Sequence, residues 1–485
     1  MSFIAQGRFF RDMSEASTSN AVVTATGRFR VPEFLARRIA EPLSEAVAII
    51  ALCPILLAAA FWNGFPLVFY DTGAYIFQGF TDRFVPERSP VFSLFIRYAG
   101  GGVSLWLVAI LQVLLTSFVI VEMARALAPR LKLSSMLAIG AGLAVLTALP
   151  WQAAEIEPDC FTALLVLSLY LLAFHASTLG RGRVAALVLV CALSIACHPS
   201  HIGLAAGLIL ATALYRLFAR NDWPRAHLLL PVTSTLLAVA MIYAANFHYT
   251  RHVFLSRAGG VFAMARMMQD GIITKVLNET CAQADYKLCQ YRTELPKRAD
   301  QYLWGPGTPF NKLGRFIGTE KESDALVRES LIRHPFLNLA MAAKDSAEQF
   351  VVFQTGDGID PQQWIIGRDF RIFMPTQLPA YDLARQQKGA IPFFGINVIH
   401  VPVAALALVL LIVCFVLAFR ALDRRSAVLF GFILAALIGN AMICGVMSGP
   451  HGRYQSRLMW MPLFALALVA SERPGWMRTL EQSQA

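Results

Sequence analysis

Charged residues are scarce in this sequence. Only 15% of its 485 residues are Asp, Glu, Lys or Arg, 56% are hydrophobic, and the mean hydropathy is +0.55. Soluble domains carry about 25% charged residues, so the composition argues against a soluble cytoplasmic protein. Eight cysteines are too few for a small disulfide scaffold, and 32 glycines with 24 prolines exclude a collagen-like chain. Walker A, GxSxG, HExxH and RNA-binding patterns are also missing from the sequence.

Long apolar runs are abundant instead. A helix needs about 20 apolar residues to cross a bilayer. Runs of this kind occur at 43–62, 103–123, 133–150, 160–176, 227–247, 399–419, 427–447 and 457–471. A further stretch, 184–218, is interrupted at Pro199 and is expected to form two short spans, because proline ends a helix. The expected fold class is an all-α polytopic membrane protein with about ten transmembrane helices.

Basic residues are distributed unevenly among the loops. With the N-terminus in the cytoplasm, the inside segments hold 19 Lys and Arg and the short outside loops hold five. Positively charged loops stay in the cytoplasm, so both termini are expected there, in what the short loops suggest is a bacterial inner membrane. The other 18 basic residues lie in 248–398, a mainly helical periplasmic domain by expectation. Topology thus explains the net charge of +11, and no nucleic acid partner is expected.

The expected organisation of the chain has five parts. They are a cytoplasmic segment 1–42, a transmembrane region 43–247 with catalytic outer loops, a periplasmic domain 248–398, transmembrane helices 399–471 and a cytoplasmic tail 472–485. Cys281 and Cys289 lie in the periplasmic part and are expected to form a disulfide, because that compartment is oxidising. Within the same part, residues 320–354 have a helical pattern and residues 301–310 are expected to form a loop over a site.

The first two outside loops are rich in acids. Asp71 lies in a loop with Tyr75 and Arg88, and it is either a general base at the membrane surface or the N-cap of a helix starting at Thr72. The second loop carries Glu155, Glu157 and Asp159. Three carboxylates so close together repel unless they are protonated, paired or share a cation. An oxygen-ligated divalent metal is therefore left open, as is an N-cap role for Asp159.

The later outside loops are rich in His and Arg. His198 and His201 flank the turn at Pro199, and further zinc ligands are scattered, so a structural or substrate-contacting pair is expected. Arg453 and Arg457 are four residues apart, on one face of a helix, and guanidinium groups bind phosphate in a bidentate manner. Snorkelling to lipid headgroups is the alternative for these arginines. Ionisable groups gathered at one membrane face indicate a functional site.

Together these features resemble the membrane-embedded, polyprenyl-phosphate-sugar-dependent glycosyltransferases of the GT-C superfamily, among them protein O-mannosyltransferases and the enzymes that add aminoarabinose to lipid A. Asp71 matches the acidic residue that follows the first span in that superfamily, residues 155–159 match a second acidic loop, and Arg453-Tyr454 matches an Arg-Tyr element before a late span. The Asp-Glu pair of the superfamily is absent, because Thr72 follows Asp71, and residues 155–159 contain no DxD.

The resemblance implies a GT-C-like fold and transfer of a sugar from a polyprenyl-phosphate donor to a lipid, glycan or protein acceptor at the bilayer surface. It implies that Asp71 is the inverting base and that Arg453 and Arg457 hold the departing phosphate. The residues expected to contact substrate are Arg453, Tyr454, Arg457, His451, His198, His201, Glu155, Glu157, Asp159, Tyr75 and Arg88. Apart from the metal left open, no cofactor is expected. A lipid-linked saccharide polymerase or ligase, a flippase or transporter, and a non-catalytic assembly subunit are the alternatives.

Overall fold

The computed structural model describes residues 33–472, with side chains from residue 45 onward. Residues 1–32 and 473–485 lie outside the described part, and with them most of the two terminal segments predicted to be cytoplasmic. The chain divides into two units, 1–47 and 48–485, and apart from the start of helix Glu33–Leu56 the features below belong to the second. The regular structure within residues 33–472 is helical, with no strand among them, and their only β contact is a bridge between Leu67 and Glu155. The all-α prediction is confirmed.

Among the described residues, six helices are long and apolar enough to cross a membrane, and each coincides with a predicted span. They are Glu45–Asn63, Leu105–Leu127, Pro199–Phe218, Leu229–Thr250, Phe393–Arg420 and Arg424–Met447. The first contains a break at Leu57, between the helices Glu33–Leu56 and Ala58–Asn63. Apolar helices of this length are consistent with a helical membrane protein.

The other four predicted spans coincide with shorter helices of 13 to 16 residues. These are Leu133–Leu146, Cys160–Phe174, Arg181–Ala196 and Trp460–Glu472. A 15-residue helix is about 22 Å long, less than the hydrocarbon thickness of about 30 Å. The count of ten spans therefore stays a prediction. Cys160–Phe174 is apolar all round and buried along almost its whole length, as expected for a helix surrounded by protein.

The predicted break at Pro199 is observed. Helix Arg181–Ala196 ends before it, and Pro199 begins the next helix, where its missing N–H costs no hydrogen bond. His198 caps that helix, because its Nδ1 accepts a hydrogen bond of 3.2 Å from the backbone N–H of Ser200. Pro199 and the cap from His198 therefore define the turn between the two helices.

Further helices follow one another through the loops and through the segment 248–398. In the loops they are Thr72–Thr81, Pro90–Ile96, the π-helix Arg97–Gly101, Leu149–Ala153, the 3-10 helix Ala176–Thr178 and Gly452–Ser456. In the segment they are Gly259–Gln269, Ile272–Thr280, Ala299–Trp304, Pro309–Lys312, Arg315–Arg333, Pro335–Val351, Gly367–Phe373 and Leu378–Leu383, with 3-10 turns at Lys287–Tyr291 and Gln386–Lys388.

The segment 248–398 has two parts. Residues 258–327 build a hydrophobic core of their own around Leu277 and Phe310, and a disulfide joins Cys281 to Cys289 with 5.6 Å between their Cα atoms. Residues 366–384 instead pack into the main core of the bundle. The segment is thus anchored on the apolar helices at its C-terminal part.

Helix Pro335–Val351 connects the two parts and lies against Arg424–Met447. A Cβ atom on Gly445 would lie 2.5 Å from the carbonyl oxygen of Asp345, so only glycine allows this close approach. The helix pair holds the segment over the end of the bundle where the acidic loops lie.

Candidate functional site at the ends of the helices

The four short loops predicted to lie outside the membrane meet at one end of the helices. Backbone hydrogen bonds join the first two loops, from Leu67 N to Ala154 O (3.2 Å) and from Ile156 N to Leu67 O (2.8 Å). The Ser89 hydroxyl donates to the Ala196 carbonyl at 2.7 Å. We call this the Asp71 end of the bundle. The residues predicted to lie on the outer face of the membrane therefore lie close together, although they are distant in the sequence.

Asp71 occupies the residue before helix Thr72–Thr81, but its carboxylate makes no capping hydrogen bond to that helix. The neighbouring Thr72 fixes the turn instead. Its hydroxyl accepts from the Phe69 N–H at 2.9 Å and donates to the Ile156 carbonyl at 3.0 Å. The carboxylate of Asp71 is thereby held beside the second loop and is not used as a helix cap.

Asp71 forms an ion pair with Arg88, through its Oδ1 atom. The side chains keep exposed fractions of 18% for Asp71 and 10% for Arg88. The Arg88 guanidinium lies 6.0 Å from the ring centre of Tyr75 and 5.8 Å from that of Trp304. The carboxylate is therefore positioned by a cation that aromatic rings hold in turn, while it stays partly accessible.

Trp304 comes from residues 301–310, which were expected to form a loop over a site. These residues are in fact partly helical, because they include the end of Ala299–Trp304 and the start of Pro309–Lys312. The contact of Trp304 with Arg88 does place this stretch beside the Asp71 end.

The three acids of the second loop are buried and face two arginines. Glu155, Glu157 and Asp159 are each no more than 3% exposed. Arg457 Nη1 donates to Asp159 Oδ1 at 2.6 Å. Arg453 Nη1 lies 3.5 Å from Asp159 Oδ2 and 3.7 Å from Glu157 Oε1. Buried carboxylates require such partners, so the arginines of the last loop neutralise the acids of the second. Asp159, like Asp71, does not cap its helix.

The pKa values of this loop reflect its burial. Burial raises the pKa of Glu155 to about 8, and the charge of Asp159 adds to the effect while Arg453 opposes it. Burial and the charge of Asp71 raise the pKa of Glu157 well above its ordinary range. Near neutral pH, Glu155 therefore keeps its proton, which relieves part of the repulsion among the acids.

Arg453 and Arg457 have different environments. Arg457 is 1% exposed, and its Nη2 donates to Asn440 Oδ1 at 2.7 Å in addition to the bond with Asp159. Arg453 is nearer the surface, with its guanidinium 3.8 Å from the ring centre of Phe69 and 4.7 Å from that of Tyr454. Arg457 is thus fixed inside the protein, and Arg453 is the more accessible of the two arginines.

The sequence did not predict that Asp357 would contact the last outside loop. Asp357 Oδ2 accepts from the backbone N–H of Arg453 at 3.2 Å and lies 3.6 Å from His451 Nδ1. Burial opposes ionisation of Asp357, but the hydrogen bond and the charge of His451 hold the pKa of Asp357 below its ordinary value. The sequence feature that could have pointed to Asp357 is the glycine on each side of it. Gly356 and Gly358 adopt φ angles of 91° and 80°, which favour glycine.

The histidine pair is held by hydrogen bonds within the protein. His201 lies between the Thr162 hydroxyl at 2.7 Å and the Ser194 carbonyl at 2.6 Å. His198 contacts the Ser200 hydroxyl at 2.7 Å, and burial, followed by the nearby positive groups, lowers its pKa well below the ordinary value. His198 has its partner within the turn, and His201 has its partners in the two helices beside the turn. These contacts favour a structural role for the pair.

The two tyrosines are also placed at this end. Tyr75 is 2% exposed and packs edge-on against Phe92, with 4.8 Å between ring centres. Tyr454 is bonded through its hydroxyl to Ser448 at 2.8 Å. Both rings therefore act as walls beside Arg88 and Arg453.

The donors needed for a metal centre are not grouped. Among residues 45–472 no group of three or more His, Cys, Asp and Glu side chains is arranged to hold a metal ion. Of the three carboxylates for which a shared cation was left open, Glu157 and Asp159 lie within ion-pair distance of arginines.

Comparison with protein-family models, curated proteins and solved structures finds no significant match to this chain.

Proposed function

We propose that this protein is a membrane glycosyltransferase that moves a sugar from a polyprenyl-phosphate donor to an acceptor hydroxyl, with inversion. The observation that carries the proposal is the contrast among the predicted acids. Asp71 is partly exposed and positioned by Arg88, whereas Glu155, Glu157 and Asp159 are buried against arginines. One accessible carboxylate beside a cationic wall is the arrangement that this reaction needs.

Asp71 is the base in this proposal. Its Oδ1 is held by Arg88, and no hydrogen bond reaches its Oδ2 from the part of the chain that the structure describes. Oδ2 is therefore free to take the proton of the acceptor hydroxyl. The acceptor oxygen attacks the anomeric carbon, the bond from that carbon to the phosphate oxygen breaks, and polyprenyl phosphate leaves with the bonding electrons.

The phosphate is assigned to Arg453, because it is the more accessible of the two arginines in the last loop. Its charge would offset the negative charge that grows on the leaving phosphate. The burial of Arg457 favours a positioning role through Asp159 over direct contact with a phosphate. In this proposal about ten spans place the site on the periplasmic face of a bacterial inner membrane, with both termini in the cytoplasm.

A lipid-linked saccharide polymerase or ligase is the second candidate. The observation in its favour is that Arg88 and Arg453 both lie against aromatic rings at the Asp71 end, which would suit glycan and phosphate recognition without an acidic base. It predicts that replacement of Asp71 is tolerated, which the glycosyltransferase proposal does not.

The test is release of polyprenyl phosphate from labelled polyprenyl-phosphate sugars by the purified full-length chain. Wild type is expected to release it, and Arg453→Gln is expected to lower kcat/KM by about 10²–10³-fold, because one stabilising donor of the transition state is removed. Arg371→Gln, at an exposed arginine of the segment 248–398, is the matched control and should keep full activity.

A second variant distinguishes loss of phosphate binding from misfolding. Arg453→Lys keeps the charge that neutralises the buried acids but loses the planar fork, so it should melt near the wild-type temperature and still turn over slowly. Passage of intact donor across vesicles by wild type, with no release of polyprenyl phosphate from any donor, would contradict the proposal and favour a transporter.

A further inference from the structure

A cavity lies at the end of the bundle opposite the Asp71 end. It has a volume of about 890 Å³ and is lined by residues from all four loops that the charge distribution places together, 124–132, 177–183, 216–226 and 420–426. Helix Cys160–Phe174 joins the two ends, because Asp159 precedes it and Phe174 lines the cavity. At 1.5 Å per residue the helix separates them by about 22 Å, so this cavity is distinct from the Asp71 end.

The wall of the cavity is strongly basic. Five arginines and two aspartates line it, namely Arg125, Arg183, Arg225, Arg424, Arg425, Asp222 and Asp423. Arg424 is paired with Asp222, and Arg183 Nε lies 3.7 Å from Glu122 Oε1. Within the described part of the chain, Arg225 and Arg425 have no carboxylate within ion-pair distance. Two guanidinium groups thus face a cavity without a protein anion to neutralise them, which is the chemistry that a phosphate group meets best.

An apolar cavity adjoins the basic one. It has a volume of about 680 Å³ and is lined mainly by apolar side chains such as Phe415, Phe419 and Phe432, with Ala211 on the facing helix. Phe174, Trp223 and Arg424 belong to the walls of both cavities. The apolar cavity lies among three helices long enough to span the membrane, Pro199–Phe218, Phe393–Arg420 and Arg424–Met447. A basic cavity that continues into an apolar cavity suits an amphiphilic ligand with an anionic headgroup and an apolar chain.

We propose that these adjoining cavities bind an anionic phospholipid of the bilayer, with its phosphate diester at Arg225 and Arg425 and one acyl chain against Phe415 and Phe432. Basic pockets between membrane helices recognise anionic headgroups in this way. The lipid would join the ends of three helices at the face opposite the Asp71 end. This inference does not depend on the proposed transferase activity.

The experiment measures lipid binding to the purified full-length protein in a nonionic detergent by native mass spectrometry. The probes are phosphatidylglycerol, phosphatidylcholine with the same acyl chains, and inorganic phosphate. Wild type should bind phosphatidylglycerol saturably and in preference to phosphatidylcholine. The double variant Arg225→Gln/Arg425→Gln should weaken phosphatidylglycerol binding by about tenfold or more. The matched double variant Arg130→Gln/Arg181→Gln removes two exposed arginines from the same loops that do not line the cavity, and it should bind as wild type does.

A third variant separates a lipid from a free phosphate ion. Ala211→Phe fills the apolar cavity and should weaken phosphatidylglycerol binding while the basic wall stays intact. Equal binding of the two phospholipids, or equal loss in the two arginine double variants, would overturn the proposal. Binding of inorganic phosphate as tight as that of phosphatidylglycerol, unaffected by Ala211→Phe, would also overturn it and identify a phosphate ion site. Melting temperatures measured without lipid verify that each variant is folded.

Discussion

Glu155, Glu157 and Asp159 place three carboxyl groups within five residues of a buried loop. Desolvation and mutual repulsion both disfavour three full charges there. The molecule compensates with the guanidinium groups of Arg453 and Arg457, and with the proton that Glu155 keeps because its pKa is about 8. Removal of one partner from an ion pair leaves a buried charge, so replacement of Asp159, Arg453 or Arg457 should destabilise the protein.

The raised pKa of Glu155 predicts a pH dependence of stability. The folded chain holds a proton at this group that the unfolded chain releases near pH 4.5, so the stabilisation is fully present below that pH and is lost as pH rises to about 8. Glu155→Gln mimics the protonated form. We expect its melting temperature to exceed that of wild type by about 2–4 °C near pH 8 and to fall less steeply between pH 5 and pH 8 than wild type does.

Thermal unfolding of both proteins in detergent across that pH range checks this prediction. Glu348→Gln, at an exposed glutamate, is the control and should follow the wild-type curve. A Glu155→Gln protein with the wild-type slope would show that this carboxyl does not hold its proton.

At the scale of single residues, the sequence predicted which residues meet but not how they pair. Asp71 was placed beside the other outer-loop residues because polar residues at span ends were sorted by side. The pairing of Asp71 with Arg88, within the first loop, did not follow from their positions in the sequence. The pairing of Asp159 with Arg457 could not be predicted either, because a local pattern contains no information on a partner 298 residues away. Asp357 was missed because a lone acid in a long segment has no distinctive spacing.

At the scale of helices, the turn at Pro199 gives the next prediction. His198 caps helix Pro199–Phe218 through the Ser200 N–H, so His198→Ala should destabilise the protein by about 1 kcal/mol. His198→Asn should restore most of that loss, because Asn is a good N-cap. Thermal unfolding measures both changes.

The same pair of variants separates a cap from a substrate contact. If His198→Ala and His198→Asn keep the wild-type melting temperature but both lose donor binding, then His198 contacts substrate and the capping explanation is wrong.

Apolar length predicted the helices well, while membrane crossing by the four shorter helices stays a prediction. All ten predicted spans coincide with helices, yet Leu133–Leu146, Cys160–Phe174, Arg181–Ala196 and Trp460–Glu472 are short. An apolar helix can be buried either in lipid or among neighbouring helices, so composition does not distinguish these two environments. In the segment 248–398, the helical pattern at 320–354 agrees with Arg315–Arg333 and Pro335–Val351, and Pro335 begins the second of these.

For the whole molecule, the loops form two groups at opposite ends of the bundle. One group carries the Asp71 end and the other carries the basic cavity. The excess of Lys and Arg at the second end predicts that it faces the cytoplasm. Trp364→Cys and Thr178→Cys place one exposed thiol at each end. In right-side-out vesicles, a membrane-impermeant maleimide should label the first and spare the second.

Inverted vesicles provide the control for that labelling, because the two positions should exchange their reactivity there. Labelling of Thr178→Cys, but not of Trp364→Cys, in right-side-out vesicles would reverse the predicted orientation and move the Asp71 end to the cytoplasm.

If Asp71 takes the proton of the acceptor, its replacement should slow the transfer step and leave donor binding intact. The most direct measurement compares Asp71→Asn with Asp82→Asn, an exposed acid at the other end of helix Thr72–Thr81 whose left-handed φ of 55° suits asparagine. Donor binding and single-turnover release of polyprenyl phosphate are measured for both. We predict that Asp71→Asn binds donor as wild type does and turns over about 10²–10⁴-fold more slowly, while Asp82→Asn stays fully active. Equal activity of the two variants would contradict this role of Asp71 and favour the polymerase or ligase.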